Sequence, residues 1–187
     1  MTSRVLVVYS STHGHTEKIA ERIGTVLRQL GLHAEVIDVR DVTEEDLERF
    51  HAVIVGASVH AGQHQREMLV WARLHAGWLQ HMASVFFSVC LTAAEDDEEA
   101  REASQGYIAD FVDETGWQPE RSESVAGALQ YREYDFFTRH LMRLMMKRGG
   151  HPTDTSQDYD YTDWDEVDRF AREFAEWLTA TPVVEAG

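Results

Sequence analysis

Three short stretches of this 187-residue chain are apolar almost without a break: Arg4–Tyr9, Ala52–Ala57 and Ala83–Cys90. A strand that faces water on one side alternates apolar and polar residues, and these do not. They are short and rich in β-branched and aromatic residues, so they read as strands buried on both faces. A parallel sheet between two layers of helix meets that condition, and no other feature of the chain constrains the fold as strongly.

The segments between them supply the helices. From Thr16 to Leu30, the residues Ile19, Ala20, Ile23, Val26, Leu27 and Leu30 keep helical spacing, and Gly31 stands where a C-cap belongs. Ala34–Val39 alternates as a shorter strand, and Thr43-Glu44-Glu45-Asp46 reads as a short capped helix. Arg66–Leu79 has helical periodicity. Thr92-x-x-Glu95 predicts a capping box for an acidic helix running to about Glu114. Glu123–Ala128 is the last strand. Thr162-Asp163-Trp164-Asp165 caps a final helix with Val167, Phe170, Phe174, Trp177 and Leu178 on its core face. The expected fold is α/β: a flavodoxin-like, doubly wound, five-stranded parallel sheet in the order 2-1-3-4-5. One domain, 1–187, accounts for the length, with an inserted block at about 128–161 before the last helix. A Rossmann dinucleotide fold would want G-x-G-x-x-G after the first strand, and that pattern is absent.

Charge and composition narrow the function. The chain carries 33 acidic against 17 basic residues, a net charge of -16, which disfavours nucleic acid as a partner. The apolar fraction of 43% excludes a disordered chain. The single cysteine, Cys90, excludes a disulfide framework and a multi-cysteine zinc site. No run of about 18 apolar residues exists to span a membrane as a helix. The expected location is the cytoplasm or the cytoplasmic face of a membrane.

Ligands of doubly wound sheets lie beyond the carboxyl ends of the strands. After the first strand comes Ser10-Ser11-Thr12-His13-Gly14-His15-Thr16: hydroxyls, a glycine that permits close approach, and the start of a helix whose N–H groups attract anions. No P-loop lysine is present, so a nucleoside triphosphate is excluded. A neutral, hydroxyl-rich loop suits the phosphate monoester of flavin mononucleotide (FMN). The competing reading is a Ser/Thr-rich turn that only caps a helix, and the loop's place in the fold favours the phosphate. The two further loops, Ser58-Val59-His60-Ala61-Gly62 and Ser88-Val89-Cys90-Leu91-Thr92, have the small residues that let a flat ring pack against backbone. No metal is expected. His13 and His15 lack a nearby third ligand, and His60 and His64, with Gly62 between them, read as loop residues.

In the inserted block, Asp135–Arg148 can form a helix with Arg139, Arg143 and Lys147 on one face and Phe136, Phe137, Leu141, Leu144 and Met145 opposite. Residues 128–148 carry an excess of three positive charges in an otherwise acidic chain. Such a helix can meet carboxylates or anionic lipid, or can pack on the core or a second subunit.

The chain's longer patterns resemble one family. Val55-Gly56-Ala57-Ser58-Val59, Phe87-Ser88-Val89-Cys90-Leu91, Ala126-Gly127-Ala128-Leu129-Gln130-Tyr131, Leu144-Met145-Met146-Lys147, Gly149-Gly150, Thr153-Asp154-Thr155 and Tyr161-Thr162-Asp163-Trp164 are similar, in this order, to the menaquinone-dependent protoporphyrinogen oxidases. The resemblance implies an FMN enzyme that oxidises protoporphyrinogen IX to protoporphyrin IX for haem synthesis in three two-electron rounds. It implies a membrane quinone as acceptor and peripheral membrane contact, and it leaves a homo-oligomer open. It implies that FMN is held by residues 10–16, 58–62 and 88–92, and it assigns no catalytic acid or base. It draws Arg139, Arg143 and Lys147 toward substrate or membrane. His13-Gly14-His15, the acidic Asp158-Tyr159-Asp160 and the strongly negative charge depart from the family pattern. The rival expectations are a flavodoxin-type electron carrier, which an acidic surface suits, and an FMN-dependent NAD(P)H:quinone reductase.

Overall fold

Strand β1 (Arg4–Ser10) is the second of five parallel strands, and the chain winds outward from it in both directions. The computed structural model describes residues 3–130 and 154–180. In chain order the further elements are α1 (His15–Gln29), β2 (His33–Asp38), α2 (Glu44–Leu47), β3 (Ala52–His60), β4 (Gln63–His64), α3 (Arg66–Leu74) and α4 (Ala76–His81). Then come β5 (Ala83–Cys90), α5 (Glu98–Thr115), β6 (Arg121–Ala126), β7 (Ala128–Leu129), β8 (Tyr159–Asp160) and α6 (Trp164–Ala180). The five long strands are parallel in the order β2-β1-β3-β5-β6. Counted along the chain, that is the expected 2-1-3-4-5. Two small additions were not expected. Strand β4 folds back antiparallel on β3, and β7 pairs antiparallel with β8 as a separate ribbon.

Both faces of the central strands are apolar because each has its own helical layer. Val5, Val7, Ile54, Val85 and Phe87 meet Ile19, Ile23 and Leu27 of α1 and Phe170, Phe174 and Leu178 of α6. Leu6, Val8, Val53, Val55 and Phe86 meet Met68, Trp71, Leu79, Phe111 and Trp117 on the other side. A Leu, Val or Phe side chain buried this fully contributes about 1.5–3 kcal/mol, so the uninterrupted apolar runs are the sheet's main source of stability. Arg22 clamps α1 to α6 through a bidentate pair with Asp168 at 2.6 and 2.7 Å.

Several sequence expectations are corrected. Arg66–Leu79 is two helices, interrupted at His75, whose φ and ψ are -104° and 12°. There the His75 Nδ1–H donates to the Trp71 carbonyl at 2.9 Å, beside the His75 N–H at 3.0 Å. The inward face, Met68, Ala72 and Leu79, continues across the break, so periodicity did not reveal it. The Thr92 capping box does not form. Thr92–Ala94 makes a single 3-10 turn, and Asp97 caps α5 by accepting the Ala100 N–H at 2.8 Å. The run Asp97-Glu98-Glu99 places three acidic residues at the helix start, which its dipole favours. The last sheet strand ends at Ala126 rather than Ala128, because Gly127 leaves the sheet: its N–H donates to the Cys90 carbonyl and its own carbonyl accepts from Tyr161 N–H. Ser58, Val59 and His60 are the end of β3, not a loop. Ala61 (φ 50°) and Gly62 (φ 81°) make a two-residue hairpin turn of the kind that needs positive φ at both positions. The helix expected over Asp135–Arg148, with Arg139, Arg143 and Lys147, lies outside the described residues.

Candidate cofactor site

The carboxyl end of β1 delivers Ser10, and the chain then turns through Ser11–Gly14 into α1. Ser10 and Thr16 are buried. Gly14 occupies the N-cap position at φ 77°, a left-handed conformation that costs a glycine little and any β-branched residue a great deal. No side chain caps α1, whereas Thr43 caps α2, Asp97 caps α5 and Asp163 accepts the Asp165 and Glu166 N–H groups at the start of α6. A 15-residue helix with no side-chain cap presents its first N–H groups, and the positive end of its dipole, to an anion. The one acid in that first turn, Glu17, is engaged by the Tyr9 hydroxyl, whose pKa is pushed up to about 12 by burial and then by Glu17 itself.

The end of β3 stands beside this loop, because β1 and β3 are neighbours and the chain's winding reverses between them. The His13 and His60 rings meet edge-on across that switch point, 5.7 Å between centroids. His60 Nε2 is 3.2 Å from Ser58 Oγ, and the imidazole is held below its ordinary pKa by desolvation and then by His13. Val59, Ala61 and Gly62 complete this rim.

From β5 come Ser88, Val89 and Cys90, all buried, and then Leu91 and Thr92, both part-exposed. The Ser88 hydroxyl faces inward to His64 Nε2 at 2.9 Å. Cys90 Sγ lies 3.6 Å from Ser104 Oγ, and burial raises its thiol pKa, which leaves it a poor nucleophile. These residues therefore shape the site from beneath, through their backbone. Gly127 closes it from the β6 side: a Cβ there would sit 3.3 Å from Val89.

His15 is placed differently from the expectation that it contacts the phosphate. Its imidazole is buried and turned toward the end of the inserted block. Thr162 Oγ1 donates to the Ala126 carbonyl at 2.8 Å, so it accepts the Nε2–H of His15 at 2.7 Å, which sets the tautomer. Burial holds the His15 pKa below the ordinary value despite Asp160, 3.6 Å away. The His15 backbone opens the first turn of α1, while its side chain is engaged by Thr162.

Thus the three sequence-predicted segments converge at one end of the sheet. Sequence reading missed Thr162, His64 and Gln65. The signal for the last two was Ala61-Gly62 read as a hairpin turn, which brings His64 and Gln65 back beside Val59 and Ser58. Among the described residues, no group of three or more His, Cys, Asp or Glu side chains is disposed to hold a metal.

Two predictions arise here. Gly14→Val forces a β-branched residue to positive φ, at about 1–3 kcal/mol, and disturbs the uncapped turn. It is expected to abolish measurable FMN binding in a fluorescence titration; binding as tight as the parent's would move the site elsewhere. His64, packed between Phe86 (5.5 Å) and Phe111 (5.1 Å), has its pKa pushed down to about 4 by burial. The unfolded chain therefore takes up a proton at His64 that the folded chain refuses. Stability is expected to fall as pH drops through 6.5 toward 4, by about 3 kcal/mol from this group, and the contribution levels off below 4. In His64→Asn, melts across that range should show a shallower loss, not a flat one, because His15 and His60 act with the same sign. An unchanged slope would remove His64 as the cause.

An uncapped helix N-terminus, buried hydroxyls beside it and two rims of small residues at the switch point of a doubly wound sheet fit a phosphate monoester carrying a flat ring. That is the chemistry of a flavin-nucleotide domain. The chain belongs to the flavodoxin-domain family, which it matches over residues 6–156, and FMN is the cofactor of that domain. It is 34% identical over 182 residues to protoporphyrinogen IX dehydrogenase (quinone) of Escherichia coli K12, covering 97% of this chain and 99% of that one. It is 35% identical over 183 residues to the Leishmania major protein of the same name, covering 96% of this chain and 78% of that one. Flavodoxin 2 of Bacillus cereus shares the fold, with a TM-score of 0.59 at 17% identity over 94% of this chain and 99% of that one.

Proposed function

We propose that this chain is an FMN-dependent oxidoreductase that oxidises protoporphyrinogen IX and passes the electrons to a quinone. One observation carries the reading. The similarity to the E. coli dehydrogenase spans 182 residues and nearly both whole chains, which leaves no room for residues 131–153 to fall outside it. The inserted segment, which a flavodoxin sheet does not need, is therefore part of the likeness.

In this reading Ser10–Thr16 hold the cofactor phosphate with backbone N–H groups and hydroxyls, and Ser58–Gly62 and Ser88–Thr92 flank the ring. Bound FMN supplies a two-electron acceptor. The chain's own task is to orient substrate over that ring and exclude water from it. We assign Arg139, Arg143 and Lys147 to the substrate's propionates, the partners that a guanidinium fork suits best. A menaquinone acceptor and docking on the cytoplasmic membrane face complete the proposal. Among the described residues no helix is long and apolar enough to cross a membrane.

Anaerobic mixing of the FMN-loaded protein with protoporphyrinogen IX tests it. Flavin bleaching with growth of porphyrin fluorescence is expected, and added quinone should restore the flavin absorbance. A second reading, an electron carrier, is favoured by the net charge of -16. Bleaching by a reductase partner but not by protoporphyrinogen would establish that reading instead.

A further inference from the structure

We propose that Gln65 is a positioning residue of the cofactor site, whose carboxamide fastens the first-strand loop to the end of β3 and presets that loop for a phosphate monoester. Gln65 stands at the N-cap position of α3, yet its side chain does not cap that helix. It reaches instead into the loop after β1. With the amide oriented to satisfy every partner, Oε1 accepts from the Thr12 N–H at 2.9 Å and the Thr12 hydroxyl at 2.5 Å. Nε2 faces three acceptors: the Ser10 carbonyl at 2.7 Å, Ser10 Oγ at 2.6 Å and Ser58 Oγ at 3.2 Å. Ser58 Oγ continues the network to His60 Nε2, and the His60 ring meets His13. One side chain thus ties Ser10 and Thr12, from the loop, to Ser58, from the neighbouring strand.

The hairpin makes this possible. The positive-φ turn at Ala61-Gly62 sends β4 back along β3, so that the residue after His64 arrives level with Ser58. His64 anchors the hairpin beneath, through Ser88. The loop it holds begins at Ser10 and ends at the uncapped first turn of α1. A donor array held in its binding geometry before the ligand arrives gains affinity by not having to be ordered on binding. Four of the five Gln65 contacts go to Ser10 and Thr12 of the loop and one, the longest, to Ser58 at the edge of the ring's rim, so its influence falls mainly on the phosphate.

The proposal rests on the reading that the FMN phosphate occupies residues 10–16, and the test separates the two. Full-length protein freed of flavin is titrated with FMN and with riboflavin, which has the ring but no phosphate, using flavin fluorescence for wild type, Gln65→Ala and Gln65→Glu. Wild type should prefer FMN. Gln65→Ala is expected to weaken FMN about 10-fold or more while riboflavin changes less than about 2-fold. Retained riboflavin binding itself reports an intact fold. Gln65→Glu keeps an acceptor for Thr12 but loses the donors to Ser10 and Ser58 and brings a negative charge beside the phosphate, so it should fall at least as far. Equal losses for both flavins in Gln65→Ala would make Gln65 a general scaffold residue and overturn the proposal, as would unchanged or tighter FMN. A wild type that does not prefer FMN to riboflavin would overturn the phosphate assignment, and the proposal with it.

Discussion

Replacing Gly56 by alanine is expected to cost about 3 kcal/mol of folding stability, the upper end of ordinary overpacking. Gly56 lies in β3 directly beside Phe87 of β5 in the parallel register. A Cβ at position 56 would stand 2.0 Å from Phe87 Cζ and 2.4 Å from Cε1. The ring cannot swing away cheaply: Phe87 is fully buried and meets Phe170 of α6 edge-on at 6.2 Å. Phe87→Leu removes the atoms that clash and alone costs about 1–2 kcal/mol, as a modest large-to-small change does. The double variant should therefore be more stable than the two single losses added together, with a coupling of at least about 1 kcal/mol. Urea melts of the four proteins measure it, and strict additivity would show that Gly56 is not there to admit the ring.

The second large effect concerns the segment between β7 and β8. Exchanging residues 131–153 for a short Gly/Ser linker is expected to leave a folded protein that holds FMN and to lower protoporphyrinogen oxidation by at least about 100-fold, the scale on which misplaced substrate costs rate. Folding should survive because β7 and β8 pair antiparallel, Leu129 opposite Tyr159, so the chain leaves and returns at neighbouring points. The excision must stop there. Leu129 is fully buried with Leu91, Tyr159 and Tyr161 packed around it, and cutting from Leu129 to Tyr159 would remove that small cluster. Arg139, Arg143 and Lys147 all changed to Gln give the finer test: if they hold propionates, the Michaelis constant rises in detergent without lipid. A linker variant that keeps the parent turnover would show that residues 131–153 do not hold the substrate.

The sheet was legible in the sequence for a simple reason. Residues such as Leu6 and Val7 face opposite helical layers and are both fully buried, so the strands carry no polar alternation to obscure them. The loop after β1 was legible as a glycine-bearing turn into a helix at the switch point of the sheet, and Gly14 takes the left-handed conformation there. What escaped were competitions between near-equal local signals. Sequence reading places the cap at Thr92, whereas Asp97, with two acids behind it, makes it. His75 broke a helix whose inward face ran on undisturbed. Gln65 carried no signal of its own, since a lone glutamine after a histidine is ordinary until the turn before it is seen to reverse the chain. His15 stands in the loop that the sequence singled out, yet its side chain serves another partner, Thr162.

That partner has a bearing on how the molecule is made. His15 is bound to Thr162, which in turn is bound to Ala126 at the end of β6. The first turn of α1 is thus pinned by a residue 147 positions further along the chain. A nascent chain can lay down its central strands early, since domains fold from the N-terminus as they emerge, but it cannot complete the surroundings of its cofactor until the stretch before α6 is free. Chains stalled short of Thr162 should be poor flavin binders however well their sheet has formed, and flavin capture thereby waits on a residue made long after the loop whose surroundings it completes.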